Sequence, residues 1–421
     1  MAGGAPTSTF TSTDSTSKNS KYLFPLILVT SLFFMWGASY GLLDVLNKHF
    51  KEAMEVPQEK TYLIQLAYFG AYFIWAIPAS IVMRRYSYKS GIILGLLLFA
   101  TGAFLFYPSA HYLNYLAFLA SIFVLASGLS FLETGANPYV TVLGSPATSE
   151  RRLTLSQCFN GLGSLIGSNI GGFFFFQEEG SPAAAQADLS SVQYVYVILG
   201  VIVLLLAILF MRTKLPDIQE QAEVSTSGEK IDIPLSKQPH FIWSVIAQFF
   251  YVAAQVCVGA VFLNYATEYW VGLSSKDAAI ILSIGFLLFT LGRFIGVALM
   301  QKIAPHTLLR YYALINIALS IVVMMGKGAI SVFALTAIFF FMSIMFPTIF
   351  ALGIKNLGTH TKRASSYLVM SIVGGALVPL LMGYVAKLTS TATGFIVPLV
   401  CFLAVYYFAA SKYKVKTIAA H

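Results

Sequence analysis

The sequence predicts an all-α membrane protein whose twelve transmembrane helices form two six-helix halves. The first reason is composition: 57% of the 421 residues are hydrophobic and 10% are charged, whereas soluble proteins carry roughly 25% charged residues. The second reason is a series of long apolar runs, and the third is a polar interruption that divides this series in two. Aromatic residues make up 15% of the chain, which suits a bundle with aromatic belts at both membrane interfaces.

Twelve apolar runs are long enough to cross a bilayer, which takes about 20 mostly apolar residues per helix. They lie near residues 22–47, 61–83, 90–107, 112–142, 153–177, 190–212, 241–267, 277–301, 307–326, 329–352, 364–386 and 391–411. The longest polar interruption contains QEQAEVSTSGEK. We therefore predict a disordered cytoplasmic tail (1–21), an N-terminal six-helix bundle (22–213), a cytoplasmic linker (214–240), a C-terminal six-helix bundle (241–412) and a short cytoplasmic tail (413–421).

The basic residues predict the orientation of the chain. If both termini are cytoplasmic, nineteen Lys and Arg residues fall on the cytoplasmic side and six on the outer side, with Arg293 inside a span. This bias follows the positive-inside rule and fits an even number of crossings. The first twenty residues are rich in Ser and Thr and poor in apolar residues, which is typical of disorder. The apolar run after them is too long for the core of a signal peptide.

Several other functions find no support in the sequence. The net charge of +9 comes from basic residues scattered at segment ends, which does not indicate nucleic-acid binding. Cys158, Cys257 and Cys401 lie far apart in apolar runs, so we expect buried free thiols and neither a disulfide nor a metal site. There is no H-E-x-x-H motif and no P-loop motif, so we expect no metal and no cofactor.

The two halves repeat each other in order. SLFFMWG in the first half corresponds to AQFFYVA in the second, and VMRRYSYKS corresponds to LMQKIAPHT. A weaker pair is NPYVTVLG with PTIFALGIKNLG. Parallel repeats of six helices are the plan of transporters whose substrate binds at the midplane between the halves.

Two acidic residues, Asp44 and Glu133, fall inside the predicted spans. A charged acid at a helix centre costs about 2.5–3.5 kcal/mol on insertion scales, so such residues usually face a cavity and serve function. A protonated Glu133 could donate a hydrogen bond to a hydroxylated ligand, and alternation between its two protonation states could couple protons to solute movement. Asp44 lies nearer the outer mouth, where it suits a proton relay or a gate.

Polar and aromatic side chains near these acids are candidate ligand contacts. Trp36 and Tyr40 share a stripe with Asp44, and an aromatic face beside an acid suits a sugar, although packing or belt positions explain each ring equally well. Asn137 lies one turn beyond Glu133, and for it ligand binding and interhelical hydrogen bonding remain equally open. Three further amides are expected to contact ligand: Gln157, Asn160 and Gln255.

Two other features of the spans have structural explanations. Gly163, Gly167 and Gly171 recur at every fourth position of the fifth span, which predicts close packing against another helix. Arg293 is expected to anchor the eighth span near the cytoplasmic side and not to touch solute.

Several motifs together resemble the fucose–proton symporter family of the major facilitator superfamily. They are SLFFMWG, SYKSGIILG, FLETGANPYVTVLG, LSQCFNGLG, AQFFYVAAQ, GRFIG with APH, and FPTIFALGIKNLG. The similarity runs in order from about residue 31 to residue 403, and FLETGANP is its most specific part.

This resemblance implies a proton-driven importer of a monosaccharide with the major facilitator fold, embedded in lipid and acting as a monomer. It implies that Glu133 takes up the proton and contacts sugar, that Asp44 assists, and that Gln157, Asn160 and Gln255 belong to the polar cavity. The chain departs from the family where Asp44 follows Tyr40-Gly41-Leu42-Leu43, because the fucose transporter has an Asn-rich turn before its acid. The resemblance therefore leaves the choice among fucose, glucose, galactose and amino sugars open.

The expected function is proton-coupled import of a monosaccharide across the plasma membrane, the inner membrane in a bacterium. Three alternatives stay open at this point. The transport could be coupled to sodium or uncoupled, or the protein could sense a sugar without transporting it. An intramembrane enzyme is a weaker alternative, because no His lies at bilayer depth in the predicted spans.

Overall fold

The computed structural model describes the backbone of residues 14–53, 62–175, 182–216, 223–224, 230–231 and 233–415, and the side chains of 23–42, 63–170, 193–216 and 233–415. The first half contains six helices: α1 (Asp14–Ala53), α2 (Tyr62–Arg85), α3 (Tyr88–His111), α4 (Tyr115–Val142), α5 (Ser149–Phe175) and α6 (Pro182–Arg212). Two short antiparallel strands follow, β1 (Glu223–Val224) and β2 (Lys230–Ile231).

The second half begins with α7 (Pro239–Tyr269), α8 (Ser275–Leu299) and α9 (Pro305–Met324). The remaining spans are broken into pieces: α10 (Gly328–Met342) with α11 (Met345–Gly353), α12 (Thr361–Met370) with α13 (Gly374–Leu388), and α14 (Thr391–Gly394) with α15 (Ile396–Tyr407). The chain is therefore all-helical apart from the two short strands in the described residues, as the sequence predicts.

Eleven helical segments in the described part of the chain are long and apolar enough to cross a membrane. Each coincides with one of the twelve predicted runs. The remaining run, near residues 153–177, lies in α5, a helix that also carries the polar residues Arg151, Arg152, Gln157 and Asn160. The chain is a multi-pass membrane protein.

The first helix starts earlier than the sequence suggested. Residues 1–21 were expected to be disordered, but α1 begins at Asp14. Hydroxyl and carboxylate side chains are favoured at helix N-termini, and the DSTSKNS segment has no proline or glycine to interrupt a helix. Residues 1–13 lie outside the described residues.

Proline explains the break between α10 and α11. Pro347 has no backbone N–H, so the carbonyl of Ser343 loses its usual helical donor. The chain turns at Ser343 and Ile344, and the Nε of Arg293 donates to the freed Ser343 oxygen at 3.2 Å. A side chain of α8 thus replaces the missing helical bond.

Glycines bring α1 and α5 into close contact. A side-chain carbon at Gly163 would overlap the Phe34 carbonyl, and one at Gly167 would overlap the Ala38 carbonyl. The predicted packing role of these two glycines is confirmed, whereas the surroundings of Gly171 lie outside the described residues. The same close approach lets Asn160 donate to the Phe33 carbonyl at 3.2 Å.

The helices alternate across the membrane, so their ends form two sides. We call the side that carries Arg84, Arg85, Arg152, Arg212 and Lys355 the basic side, and the other the outer side. Contacts between the halves involve α2 with α12, α5 with α8 and α11, and α4 with α12. The division of the chain into two six-helix bundles at the predicted boundaries remains a proposal.

Gly167→Ala is expected to lower the free energy of unfolding by about 1–3 kcal/mol, because the added methyl group must push α1 away from α5. The measurement is the thermal unfolding midpoint of the purified protein in detergent. The control is Gly383→Ala in α13, where a side-chain carbon meets nothing within 4 Å. Equal midpoints for the two variants would contradict the packing argument.

Candidate functional site

A cavity of about 390 Å³ lies between the two halves, within the range of ~300–1,000 Å³ typical of small-molecule sites. The first half lines it with side chains from α1, α2, α4 and α5, and the second half with side chains from α7, α8, α10 and α11. Six predicted site residues line it: Trp36, Tyr40, Glu133, Gln157, Asn160 and Gln255.

Glu133 places a carboxyl group in the wall of this cavity, and only 6% of the residue is exposed. Its Oε1 accepts a hydrogen bond from the Tyr72 hydroxyl at 3.1 Å, and its Oε2 has no partner in the described part of the chain. Within the same residues, the one ion pair lies elsewhere, between Lys355 and Glu150. An ionised Glu133 would therefore have no ion-pair contact among these residues, whereas a protonated one would offer a hydroxyl donor to a ligand.

Two tyrosines connect Glu133 to the cavity. The hydroxyl groups of Tyr68 and Tyr72 lie 3.4 Å apart. Because Tyr72 donates to Glu133, its oxygen is free to accept from Tyr68. Tyr68 in turn meets the ring of Tyr40 edge-on, with centroids 6.0 Å apart. A row of phenols thus leads from the aromatic wall to the buried carboxyl.

Two amides of α5, Gln157 and Asn160, line the cavity. Asn160 donates to the Phe33 carbonyl and accepts from Arg293 at 3.4 Å. Gln157 donates weakly to Asn137 Oδ1, at 3.5 Å. Asn137 itself is fully buried and is not among the residues that line the cavity. Its position fits interhelical hydrogen bonding, the structural option that the sequence left open.

Asp44 cannot be compared with its predicted role. It lies on α1, but its side chain is outside the described residues.

Trp36 is buried and stacks on Phe33 with centroids 5.0 Å apart, whereas Tyr40 is exposed to the cavity. The Trp36 ring is therefore mainly packed within the protein, whereas the Tyr40 ring is accessible from the cavity.

Arg293 corrects the expectation that it lies away from solute. The residue is buried and lines the cavity. Its Nη1 donates to the Gln157 carbonyl and to Asn160 Oδ1, and its guanidinium carbon lies 4.5 Å from the centroid of the Phe289 ring. The physical reason is the carbonyl that Pro347 leaves free at Ser343, which holds the guanidinium group at the depth of the cavity. Arg293 therefore bridges the two halves.

The sequence reasoning also missed the contribution of α2. Gln65, Tyr68 and Tyr72 line the cavity, and none of them is among the site residues predicted from the sequence. Their spacing of three and then four residues places them on one helical face. This polar face in an otherwise apolar span was the available signal.

Comparison with known proteins adds to this geometry. The profile of the Major Facilitator Superfamily matches residues 26–370. The L-fucose-proton symporter of Escherichia coli is 39% identical over 414 residues, 94% of each chain. The glucose/galactose transporter of Brucella abortus is 38% identical over 409 residues, 97% of this chain and 98% of that one.

A solved structure agrees with these relatives. The crystal structure of the E. coli fucose:proton symporter in the outward conformation has a TM-score of 0.83 and is 40% identical. The match covers 92% of this chain and 98% of that chain. The chain belongs to the fucose–proton symporter family of the major facilitator superfamily. The predicted fold and resemblance are confirmed, and the protein is a transporter and not an enzyme.

The halves of this transporter are joined on the basic side of Glu133. Lys355 Nζ lies 2.7 Å from Glu150 Oε1, and Thr154 lies 3.9 Å from the Met300 sulfur. The Ser365 hydroxyl of α12 donates to the Thr134 carbonyl of α4 at 2.9 Å. Together with the bonds of Arg293 to Gln157 and Asn160, these contacts join the halves at the cavity and on its basic side. The cavity is therefore closed toward the basic side.

The Ser365 contact depends on a proline in α4. Pro138 cannot donate to the Thr134 carbonyl four residues earlier, so that oxygen is available to another helix. Ser365 is fully buried, and its hydroxyl supplies the donor from the other half. The Asn-Pro pair of FLETGANP thus creates an acceptor for the contact between the halves.

Ser365→Ala is expected to weaken closure on the basic side by about fivefold, the equivalent of one hydrogen bond of about 1 kcal/mol. The measurement is the rate at which a maleimide labels a cysteine introduced by Thr154→Cys, compared with the unmodified chain. The matched control is Ser366→Ala, since Ser366 donates to the Arg363 carbonyl of its own half. Equal labelling rates in the two variants would contradict this role of Ser365.

Proposed function

We propose that the transporter imports a monosaccharide together with protons by alternating access. The observation that carries this proposal is the Glu133 carboxyl group, which is buried in the wall of a cavity between the halves without a cationic partner in the described residues. Relatives at 38–39% identity are an L-fucose-proton symporter and a glucose/galactose transporter. A neutral hexose is therefore the proposed substrate class.

Sugar recognition is assigned to the aromatic wall and the amides. The ring of Tyr40, with Trp36 behind it, offers a face for the C–H side of a sugar. Gln157 and Asn160 from the first half and Gln255 from the second provide both donors and acceptors for hydroxyl groups. Asn137 is proposed to orient Gln157 and to act on sugar only through it. Because these side chains come from both halves, one bound sugar would contact both halves and draw them together.

Proton coupling is assigned to Glu133, with Asp44 as its proposed assistant. A protonated Glu133 can donate to a sugar hydroxyl through the oxygen that lacks a partner, whereas an ionised one can only accept. Tyr68 and Tyr72 would carry the proton between the cavity and the carboxyl group. Loss of the proton after the cavity opens to the other side would weaken sugar binding and release the sugar.

The proposed direction follows from the charge of the loops. If the basic side is cytoplasmic, both termini are cytoplasmic and the structure is closed toward the cytoplasm. The sugar would enter from the outer side of the plasma membrane, the inner membrane in a bacterial cell. A monomer is the proposed transporting unit, because the two halves of the same chain both line the cavity.

The membrane potential is a sufficient driving force. One proton that enters down 100 mV releases about 2.3 kcal/mol. At about 1.4 kcal/mol per tenfold, this energy sustains about fiftyfold accumulation of a neutral solute. A pH gradient would add to it.

Glu133→Gln is expected to abolish concentrative uptake but to keep sugar exchange, because glutamine cannot release a proton yet can still donate a hydrogen bond. The measurement is uptake and counterflow of labelled L-fucose, glucose and galactose in proteoliposomes with an imposed pH gradient, together with proton movement. The matched control is Glu268→Gln, an exposed acid near the end of α7. Accumulation that survives in Glu133→Gln, or that follows sodium and ignores protonophores, would overturn the assignment.

Gln255→Leu is expected to weaken binding of the transported sugar about tenfold, because one amide that bonds sugar hydroxyls in a desolvated cavity is replaced by an apolar group. The measurement is the dissociation constant by calorimetry in detergent. Asn264→Leu is the control, since this amide lies on the same helix but does not line the cavity. Unchanged affinity in Gln255→Leu would remove this residue from the proposed site.

A further inference from the structure

A second cavity lies on the basic side, away from the transport site. It has a volume of about 470 Å³ and separates the start of α7 from the start of α12. Its apolar lining comes from Leu235, Phe241, Ile242, Val245 and Ile246. We call this cavity the α7–α12 groove. None of its lining residues belongs to the transport cavity.

The groove extends along α7 from the end of the helix into the bilayer. Ile246 lies seven residues after the first residue of the helix, Pro239, which corresponds to a depth of about 10 Å at 1.5 Å per residue. Ile242 is 39% exposed. Ile242 lies three residues after Pro239, about 5 Å along the helix. An exposed aliphatic side chain on a membrane-spanning helix faces acyl chains, so the groove is open to lipid at this residue.

The entrance of the groove is polar and positively charged. Arg363 is exposed there, beside His360 and Ser236. Its guanidinium group donates to the Tyr367 hydroxyl at 3.3 Å and lies over the ring of that residue. Lys237, next to Ser236, is also exposed. Of the described residues that line the groove, none is acidic.

Tyr367 joins the two parts of the groove. Its ring packs against Phe241 of α7 with centroids 6.1 Å apart, while its hydroxyl holds Arg363. The guanidinium group is thus kept above an apolar channel. This combination of a fixed cation at the membrane surface and an aliphatic floor below it matches a ligand with an anionic head and a hydrocarbon chain.

We propose that the α7–α12 groove binds an anionic phospholipid. The phosphate would pair with Arg363, whose guanidinium group can donate two parallel hydrogen bonds to it. The first part of one acyl chain would lie against Ile242, Val245 and Ile246. Anionic lipids are concentrated in the cytoplasmic leaflet and attract basic residues beside spanning helices, and the positive-inside pattern assigns the basic side to that leaflet.

The test compares binding of phosphatidylglycerol and phosphatidylcholine with identical acyl chains to the full-length protein by native mass spectrometry. One phosphatidylglycerol is expected to bind at least fivefold more tightly than phosphatidylcholine. Arg363→Gln is expected to weaken phosphatidylglycerol binding about fivefold and phosphatidylcholine binding less, because the choline cation offsets the charge of the phosphate that both lipids carry. Ile242→Trp, which fills the groove from its lipid-exposed side, is expected to weaken both.

The matched control is Arg310→Gln. Arg310 also lies on the basic side and over a tyrosine ring, that of Tyr311, but does not line the groove. It is expected to leave both lipids unaffected. The proposal is overturned if wild-type protein binds no phosphatidylglycerol one-to-one. Equal binding of the two lipids, or equal losses in Arg363→Gln and Arg310→Gln, would also overturn it. The measurement needs no sugar, so it is independent of the transport proposal.

Discussion

In hydrocarbon, a backbone carbonyl that loses its helical donor must find another partner inside the protein. Two prolines of this chain create such carbonyls, one at a contact between the halves and one beside the cavity. Pro138 frees the Thr134 oxygen, which accepts from Ser365 of the other half, and Pro347 frees the Ser343 oxygen, which accepts from Arg293. The first bond closes the basic side, and the second fixes a guanidinium group at the cavity. The positions of both contacts follow from where helical hydrogen bonding fails.

The same requirement bears on the proposed role of Glu133 in proton coupling. A carboxyl group whose hydrogen bonds were all made within the protein would have no oxygen available to a ligand or to water. Glu133 has one oxygen fixed by Tyr72 and one without a partner among the described residues. The fixed oxygen keeps the carboxyl group in place, while the other can respond to a sugar. Because Glu133 is buried and has no ion-pair partner among the described residues, its protonation state is proposed to depend on what the cavity contains.

Much of the site could be predicted from the sequence because polar residues are rare in membrane spans. Glu133, Gln157, Asn160 and Gln255 stand out against an apolar background, and all four line the cavity. The prediction for Arg293 was wrong because its position depends on the Ser343 carbonyl, between α10 and α11, which the chain brings near α8 only in the folded state. For Asn137 the sequence left two roles open, because a polar residue in a span can bind ligand or accept a hydrogen bond from an amide on another helix. Only the packed structure distinguishes these roles.

The sequence by itself determined the class of fold, the approximate spans and the polarity of the two membrane sides. These properties depend on the hydrophobicity and charge of each segment by itself, since these determine whether and in which orientation that segment crosses the bilayer. Tertiary structure alone decided which side chains meet: Tyr72 with Glu133, Ser365 with the Thr134 carbonyl, and Arg293 with Gln157. Such pairs join residues between 61 and 231 positions apart, and their geometry depends on the packing of α1 against α5 and of one half against the other.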